Sequence, residues 1–179
     1  MSPSLDRVTA IALPAQSRIV DIYPTTDLAD AYAVELPAGA SNDPEALARF
    51  VFSQSPRWAG GLMRVRDALV SVFGLKTARH LQALDADAMK ERVGLFRIYR
   101  REPSEILLGE DDRHLDFRLS VLCSQEPSPA STRRLVVSTV VRCRNRLGRV
   151  YIFLIAPFHR LIMRASLRRA ARAGWPPAA

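Results

Sequence analysis

The spacing of hydrophobic residues changes once along the chain, from the period of helices to the period of strands. The alternation in Ala29–Leu36 predicts a first strand. Asp43 before Pro44 predicts the start of a helix, and apolar positions through Leu62–Phe73 predict a second one. Further along, alternation with a period of two predicts four strands: Leu95–Arg101, Ser104–Gly109, His114–Cys123 and Arg133–Cys143.

The links between these four strands are short and contain Pro, Asp and Ser, which favours an antiparallel meander. If the last hairpin turns near Pro127–Ala130, Cys143 pairs near Leu115 and Cys123 pairs near Leu135. Residues so far apart along a ladder are beyond the reach of a disulfide, so both thiols are expected to be free.

The C-terminal segment from about Leu147 to Ala173 has the spacing of an amphipathic helix, which Pro157 is expected to kink. An alternative makes Val150–Ala156 a further strand and begins a shorter helix at Pro157. The side of the helix that this spacing predicts to be apolar consists of Tyr151, Leu154, Ile155, Phe158, Leu161, Ile162 and Ala165. We expect it to cover the sheet, with Leu154, Phe158, Leu161 and Ile162 buried.

This order of elements (a strand, two helices, an antiparallel meander and a long helix) is that of the helix-grip fold in the α+β class. In that fold the sheet wraps around the last helix and often leaves a cavity beside it. The expected organisation is a loosely structured extension over residues 1–26, one domain over 27–173 and a tail over 174–179.

Composition supports a globular domain with a basic end. The chain has 179 residues, of which 48% are hydrophobic and 25% charged, and this excludes a disordered chain. The net charge of +8 comes mainly from arginines beyond residue 141. These arginines either form the solvent-exposed face of a helix or contact phosphates, anionic lipid or an acidic partner. No signal peptide or membrane-spanning run is evident, so a cytoplasmic protein is expected.

Candidate chemistry is concentrated on one strand, where His114, Asp116 and Arg118 share a face. A His beside an acid provides a base, and an Arg binds carboxylate or phosphate. The simpler interpretation is a solvent-exposed face in which Asp116 forms an ion pair with Arg118, Arg134 or Arg142.

Two further candidates lie on the C-terminal helix. Tyr151 and His159 are either structural or polar anchors inside a cavity. The three histidines lack the spacing of a metal site, so neither a metal nor a cofactor is expected.

Several blocks of the sequence resemble the bacterial domain-of-unknown-function family 2867, over about residues 18–170. The most specific block is Gly109-Glu110-Asp111-Asp112-Arg113-His114-Leu115-Asp116-Phe117-Arg118. Others are Ser55-Pro56-Arg57-Trp58, Phe73-Gly74-Leu75-Lys76, Leu147-Gly148-Arg149-Val150-Tyr151 and Pro157-Phe158-His159-Arg160. The resemblance implies no activity. At the level of fold it implies similarity to START-like proteins of the polyketide-cyclase and lipid-transfer superfamily.

Three functions follow as hypotheses. The first is a module that binds a small, largely apolar molecule with a polar or anionic end, in a cavity between the sheet and the last helix. The second is a cyclase- or hydrolase-like enzyme that uses His114 and Asp116 on the cavity side. The third is an interaction or peripheral membrane module that uses the basic C-terminal helix. A homodimer stays open, and nucleic acid is not favoured because only charge points to it.

Overall fold

The computed structural model describes residues 6–56, 91–125 and 133–178, and these form a seven-stranded antiparallel sheet with two helices. In chain order the elements are β1 (Thr9–Ile11), β2 (Leu28–Glu35), α1 (Pro44–Ser53), β3 (Arg92–Val93), β4 (Phe96–Arg101), β5 (Glu105–Asp111), β6 (Leu115–Gln125), β7 (Arg133–Cys143) and α2 (Arg146–Ala173). The strands lie in the order β1-β2-β7-β6-β5-β4-β3. The predicted α+β class is confirmed, and the arrangement is consistent with a helix grip. The helix predicted through Leu62–Phe73 lies outside the described residues.

The register of the central hairpin agrees with the sequence prediction. Leu115 pairs with Cys143 and Cys123 pairs with Leu135, so the two cysteines lie at opposite ends of the β6–β7 ladder. Both cysteines are free. Desolvation by burial raises the pKa of each thiol to about 11. Neither thiol is therefore activated for nucleophilic chemistry near neutral pH.

Helix α1 begins as its sequence indicates. The side chain of Asp43 accepts a hydrogen bond from the Glu45 amide at 2.9 Å, and Pro44 occupies the first turn. The helix buries Leu47 and Val51 against the sheet.

The two helices cover one face of the sheet, called here the inner face, which carries Leu119, Val121, Leu135 and Val137. The C-terminal half of α2 packs Met163, Leu167 and Ala170 into this core. Its N-terminal half packs Tyr151, Ile152 and Ala156 near Leu28, Leu115, Val141 and Cys143. Helix α2 therefore contacts the sheet in both halves, and the alternative strand over 150–156 is wrong.

The side of α2 that faces the sheet differs from the predicted one. Leu154, Phe158 and Leu161 were expected to be buried but are 50%, 45% and 54% exposed, while Ile162 is half-buried. The region 150–162 is apolar around almost its whole circumference. Periodicity alone therefore could not decide which side would meet the sheet.

The opposite, outer face of the sheet is buried as well, by the N-terminal segment. Ile19, with Ile22 and Tyr23 beside it, packs on Leu107 and Val140. The expectation that this face is open to solvent is wrong, because His114, Asp116, Arg118 and Ser120 are at most 9% exposed. Residues 9–11 of the supposedly loose extension also form β1, at the edge of the sheet beside β2.

A buried carboxyl group attaches this N-terminal segment to the outer face. Glu105 is 3% exposed and accepts hydrogen bonds from the hydroxyls of Ser17 and Ser120. It also accepts one from the Arg18 amide at 3.0 Å. A buried polar group is tolerated when its partners are satisfied, so Glu105 determines where the segment docks.

The C-terminal tail is also packed. The ring centroids of Trp175 and Phe50 are 6.0 Å apart. The Pro176 carbonyl accepts a hydrogen bond from the Ser41 amide at 2.8 Å, and Ala40 bridges to Pro177. Residues 175–177 thus hold the loop that leads into α1.

We predict that Glu105→Ala lowers the free energy of unfolding by about 2–4 kcal/mol, because it leaves two buried hydroxyls and an amide without their acceptor. Urea unfolding of the purified protein measures this. Glu102→Ala is the control, since Glu102 pairs with the exposed Arg100 and should cost under about 1 kcal/mol. An equal effect of the two variants would contradict the docking role of Glu105.

Candidate functional site

Arg118 is the centre of a polar cluster on the outer face. Its Nη1 donates to Asp111 Oδ1 and to the Phe117 carbonyl, both at 2.8 Å. Its guanidinium carbon lies 3.7 Å from the ring centroid of Tyr99 and 5.7 Å from that of Tyr23. Two aromatic faces and a carboxylate therefore satisfy this arginine inside the protein.

A glycine makes room for this arrangement. Gly109 lies directly across the ladder from Arg118. A Cβ at that position would come within 2.3 Å of the Phe117 carbonyl oxygen and 2.9 Å of Arg118 Cδ. Any larger residue would displace the arginine or the strand, which explains why the sequence block begins with glycine.

The surroundings of the tyrosines and Asp111 shift their pKa values in opposite directions. Desolvation by burial is the main cause that raises the pKa of Tyr23 and of Tyr99 to about 12. Burial would also raise the pKa of Asp111, but hydrogen bonds from Arg118 and Tyr99 outweigh it and the net pKa is lowered. The cluster thus keeps Asp111 ionised and both phenols neutral near pH 7.

Asp116 has a different partner from those predicted. It lies across from Arg142 in the ladder, but its carboxylate accepts from Arg144 Nε at 2.8 Å. Arg144 follows the last residue of β7 and lies two positions after Arg142, so it is a diagonal neighbour of Asp116. The side chains of diagonal neighbours in a sheet are close enough to interact. Asp116 therefore forms an ion pair, but the prediction of Arg118, Arg134 or Arg142 as its partner is wrong.

His114 contacts the start of α2. Its Nδ1 lies 2.8 Å from the side-chain nitrogen Nδ2 of Asn145. The side-chain oxygen Oδ1 of Asn145 caps α2 by accepting a hydrogen bond from the Gly148 backbone amide at 3.0 Å. A Cβ on Gly148 would come within 2.3 Å of the His114 carbonyl oxygen, so the helix begins in direct contact with this residue. His114 therefore helps to orient α2.

The five predicted site residues lie on two opposite faces of the sheet. His114, Asp116 and Arg118 are on the outer side, whereas Tyr151 and His159 are on the side of α2 that faces the sheet. The enzyme hypothesis needs His114 and Asp116 beside a cavity under α2. Both residues instead lie on the outer face of the sheet, opposite to the face that α2 covers.

A second polar cluster lies between α2 and the inner face. His159 Nε2 is 3.1 Å from Thr139 Oγ1 and 3.5 Å from Asp30 Oδ1. Arg160 Nε is 3.5 Å from the other oxygen of Asp30. Asp30 and Thr139 face each other across the β2–β7 ladder. His159 is therefore anchored on the sheet, as a polar residue under an apolar helix requires.

A feature that the sequence prediction missed is the outward side of α2. Its exposed hydrophobic residues form what we call the apolar stripe: Val150, Phe153, Leu154, Phe158 and Leu161, with Phe153 79% exposed. Within the described ranges, α2 is also the one helix whose length and composition would suffice to cross a membrane. The available signal was the absence of a polar side in residues 150–158, which a surface helix normally has.

The charges on α2 are all of one sign. The helix carries seven arginines and no Asp or Glu. Among the acidic residues that the structure describes, three pair with arginines of α2: Asp27 with Arg149 at 3.2 Å, Asp30 with Arg160 at 3.5 Å and Asp6 with Arg172 at 3.0 Å. The predicted outward row of Arg160, Arg164, Arg168 and Arg172 is confirmed, since all four are exposed. The apolar stripe is thus flanked by positive charge at both ends.

Comparison with models of protein families gives a match over most of the chain. Residues 22–166 match the model of a family described as Protein of unknown function (DUF2867). No curated protein and no solved structure matches the chain.

We predict that the Asp111–Arg118 pair makes the domain sensitive to acid. Because the pKa of Asp111 is lower in the folded than in the unfolded chain, its charge stabilises the fold at neutral pH. This contribution is lost as the pH falls below about 4, the ordinary value for Asp. Urea unfolding between pH 7 and pH 3 should show a flatter pH dependence for Asp111→Asn.

The control for this measurement is Asp21→Asn, which changes an exposed carboxylate. It should retain the acid sensitivity of the wild type. If Asp111→Asn retained it as well, the ion pair would not stabilise the folded state in solution.

Proposed function

We propose that this chain, which belongs to the DUF2867 family of proteins of unknown function, docks on the surface of an anionic membrane through the outward side of α2. The observation that carries the proposal is the apolar stripe on a helix that bears seven arginines and no acidic residue. An apolar face with flanking cations is the pattern of helices that lie in the membrane interface.

The apolar stripe is larger than isolated exposed residues would explain. Val150, Leu154, Phe158 and Leu161 lie three or four positions apart along α2, and Phe153 lies beside Leu154. The five residues therefore share one side of the helix over about three turns. Contiguous apolar surface of this kind commonly marks an interaction site, whereas single exposed hydrophobic residues do not. Burying a Phe or Leu side chain contributes about 1.5–3 kcal/mol each, so partial insertion of the stripe is enough for reversible binding.

The arginines favour anionic lipid over a neutral surface. Arg146 and Arg149 lie just before the stripe, and Arg160, Arg164 and Arg168 lie within or beyond its other end. Each cation near an anionic leaflet contributes about 1 kcal/mol, and salt weakens this attraction. A cytoplasmic location, as expected from the sequence, would place the domain beside a leaflet that carries anionic lipid.

The packing of α2 favours a helix that lies on the membrane over one that crosses it. Tyr151 and Ile152 contact the sheet at one end of the helix, and Met163 and Leu167 enter the main core at the other. Crossing a bilayer would require α2 to leave the sheet and expose that core to water. Docking on the surface requires no rearrangement of the domain.

We predict that Phe153→Gln with Leu154→Gln weakens binding to vesicles of phosphatidylcholine and phosphatidylglycerol by tenfold or more, because both side chains would lose their burial in lipid. Flotation of the protein with these vesicles measures binding at low and at physiological salt. Vesicles of phosphatidylcholine alone should bind the wild type more weakly.

The matched control is Val20→Gln with Leu95→Gln, which removes two exposed apolar residues elsewhere, 36% and 39% exposed. It should leave vesicle binding unchanged. Neither double variant should change the free energy of unfolding by more than about 1 kcal/mol, since surface changes rarely do. A loss of about 3 kcal/mol for the stripe variant would mean that protein, from this chain or a second copy, covers the stripe. Such a loss would contradict the proposal.

A second candidate is the binding of a small amphipathic molecule between α2 and the sheet. The cluster of Asp30, Thr139 and His159 supports it, since it supplies a polar anchor under an otherwise apolar helix. Native mass spectrometry of the purified protein should then show a co-purified small molecule, with lower occupancy in His159→Ala. Unliganded masses for wild type and variant, with no ligand recovered by organic extraction, would contradict it.

A further inference from the structure

A basic groove lies between the edge strand β1 and the C-terminal half of α2. Its volume is about 450 Å³, and it is lined by Arg7, Val8, Thr9, Ala10, Arg164 and Arg168. Three arginines therefore line this space, and none of the described residues that line it carries a carboxylate. A surface of this composition attracts anions.

An aromatic contact orients one of the three arginines, Arg164. The guanidinium carbon of Arg164 lies 5.2 Å from the ring centroid of Tyr32, a core residue that is 2% exposed. The nearby Asp6 pairs with Arg172 at 3.0 Å. The ring of Tyr32 thus orients the Arg164 guanidinium group. The carboxylate of Asp6 is paired with Arg172, which is not among the residues that line the groove.

We infer that this basic groove binds a phosphate group. The planar guanidinium fork of arginine donates two parallel hydrogen bonds to phosphate oxygens, and three such groups around one space match a doubly charged phosphate monoester. The strand that forms the other wall of the groove, β1, is an edge strand that pairs only with β2 in the described sheet. The ligand is a phosphate ester, either the headgroup of a lipid or a soluble phosphorylated molecule.

The position of the groove favours the lipid source. Leu161, the last residue of the apolar stripe, lies one helical turn before Arg164 and two before Arg168. A lipid whose phosphate occupied the groove would have its acyl chains beside the stripe. This part of the inference rests on the proposed membrane function, whereas phosphate binding by itself does not.

The first test titrates inorganic phosphate into the protein by calorimetry, against sodium chloride of equal ionic strength. Wild type should bind phosphate specifically. Arg168→Gln, and Arg164→Gln with Arg168→Gln, should weaken binding by tenfold or more, since a hydrogen bond to a charged group contributes at least that factor. Because Arg164 also contacts Tyr32, the single Arg168 variant keeps the test independent of any loss of stability.

The charge-matched control is Arg142→Gln with Arg146→Gln. Both residues are exposed, and Arg146 lies about 27 Å along the helix from Arg164 at the usual rise per residue. This variant should bind phosphate like the wild type. Equal weakening in the groove and control variants would show a net-charge effect and overturn the inference, as would wild-type binding no stronger than that of chloride.

The second test separates the two sources of phosphate. Vesicles with phosphatidic acid, a phosphate monoester, are compared with phosphatidylglycerol vesicles of matched surface charge. A preference for phosphatidic acid that the groove variants lose supports a lipid headgroup. Specific phosphate binding without this preference supports a soluble phosphate ester. The stripe variant Phe153→Gln with Leu154→Gln should still bind inorganic phosphate, so failure of membrane docking can be told from failure of the groove.

Discussion

Burial of both faces of the β6–β7 hairpin is the constraint on which the rest of this structure depends. Its two eleven-residue strands pair along their whole length at the centre of the sheet. The inner face is apolar and is covered by α1 and α2. The outer face carries charged side chains, so covering it requires internal partners. Glu105 and Arg118 satisfy that requirement, one by binding the N-terminal segment and the other by packing between two tyrosines.

The same constraint determines how α2 presents its surface. At its start the helix is held by the contact of Asn145 with His114 and by the close approach of Gly148 to the His114 carbonyl. Further along, Met163 and Leu167 hold it in the core. With both halves attached, the rotation of the helix about its axis is determined. The apolar stripe then faces outward, and the arginines beyond it reach the groove beside β1, so one packing arrangement supports both the membrane and the phosphate proposals.

Much of the sheet could be predicted from the sequence because its signals are local. Strand alternation and short polar turns predicted the meander, and the position of the last turn predicted that Cys143 pairs with Leu115. The cap of α1 followed from Asp43 and Pro44 in the same way. The sequence block from Gly109 to Arg118 was recognised as the most specific part of the family pattern. The sequence did not reveal the physical role of this block, in which the Arg118 side chain passes over Gly109 and binds Asp111.

Period and turn chemistry thus determined which residues share a face of a strand and which strands are neighbours, because both depend on residues close in sequence. Tertiary structure alone decided what covers each face. The N-terminal segment reaches the outer face through contacts such as Ser17 with Glu105, which lie far apart in the chain. Tertiary packing also decided the orientation of α2, because a segment that is apolar nearly all round has no preferred side until a sheet packs against it. Leu154 and Phe158 therefore face outward, although the pattern alone placed them in the core.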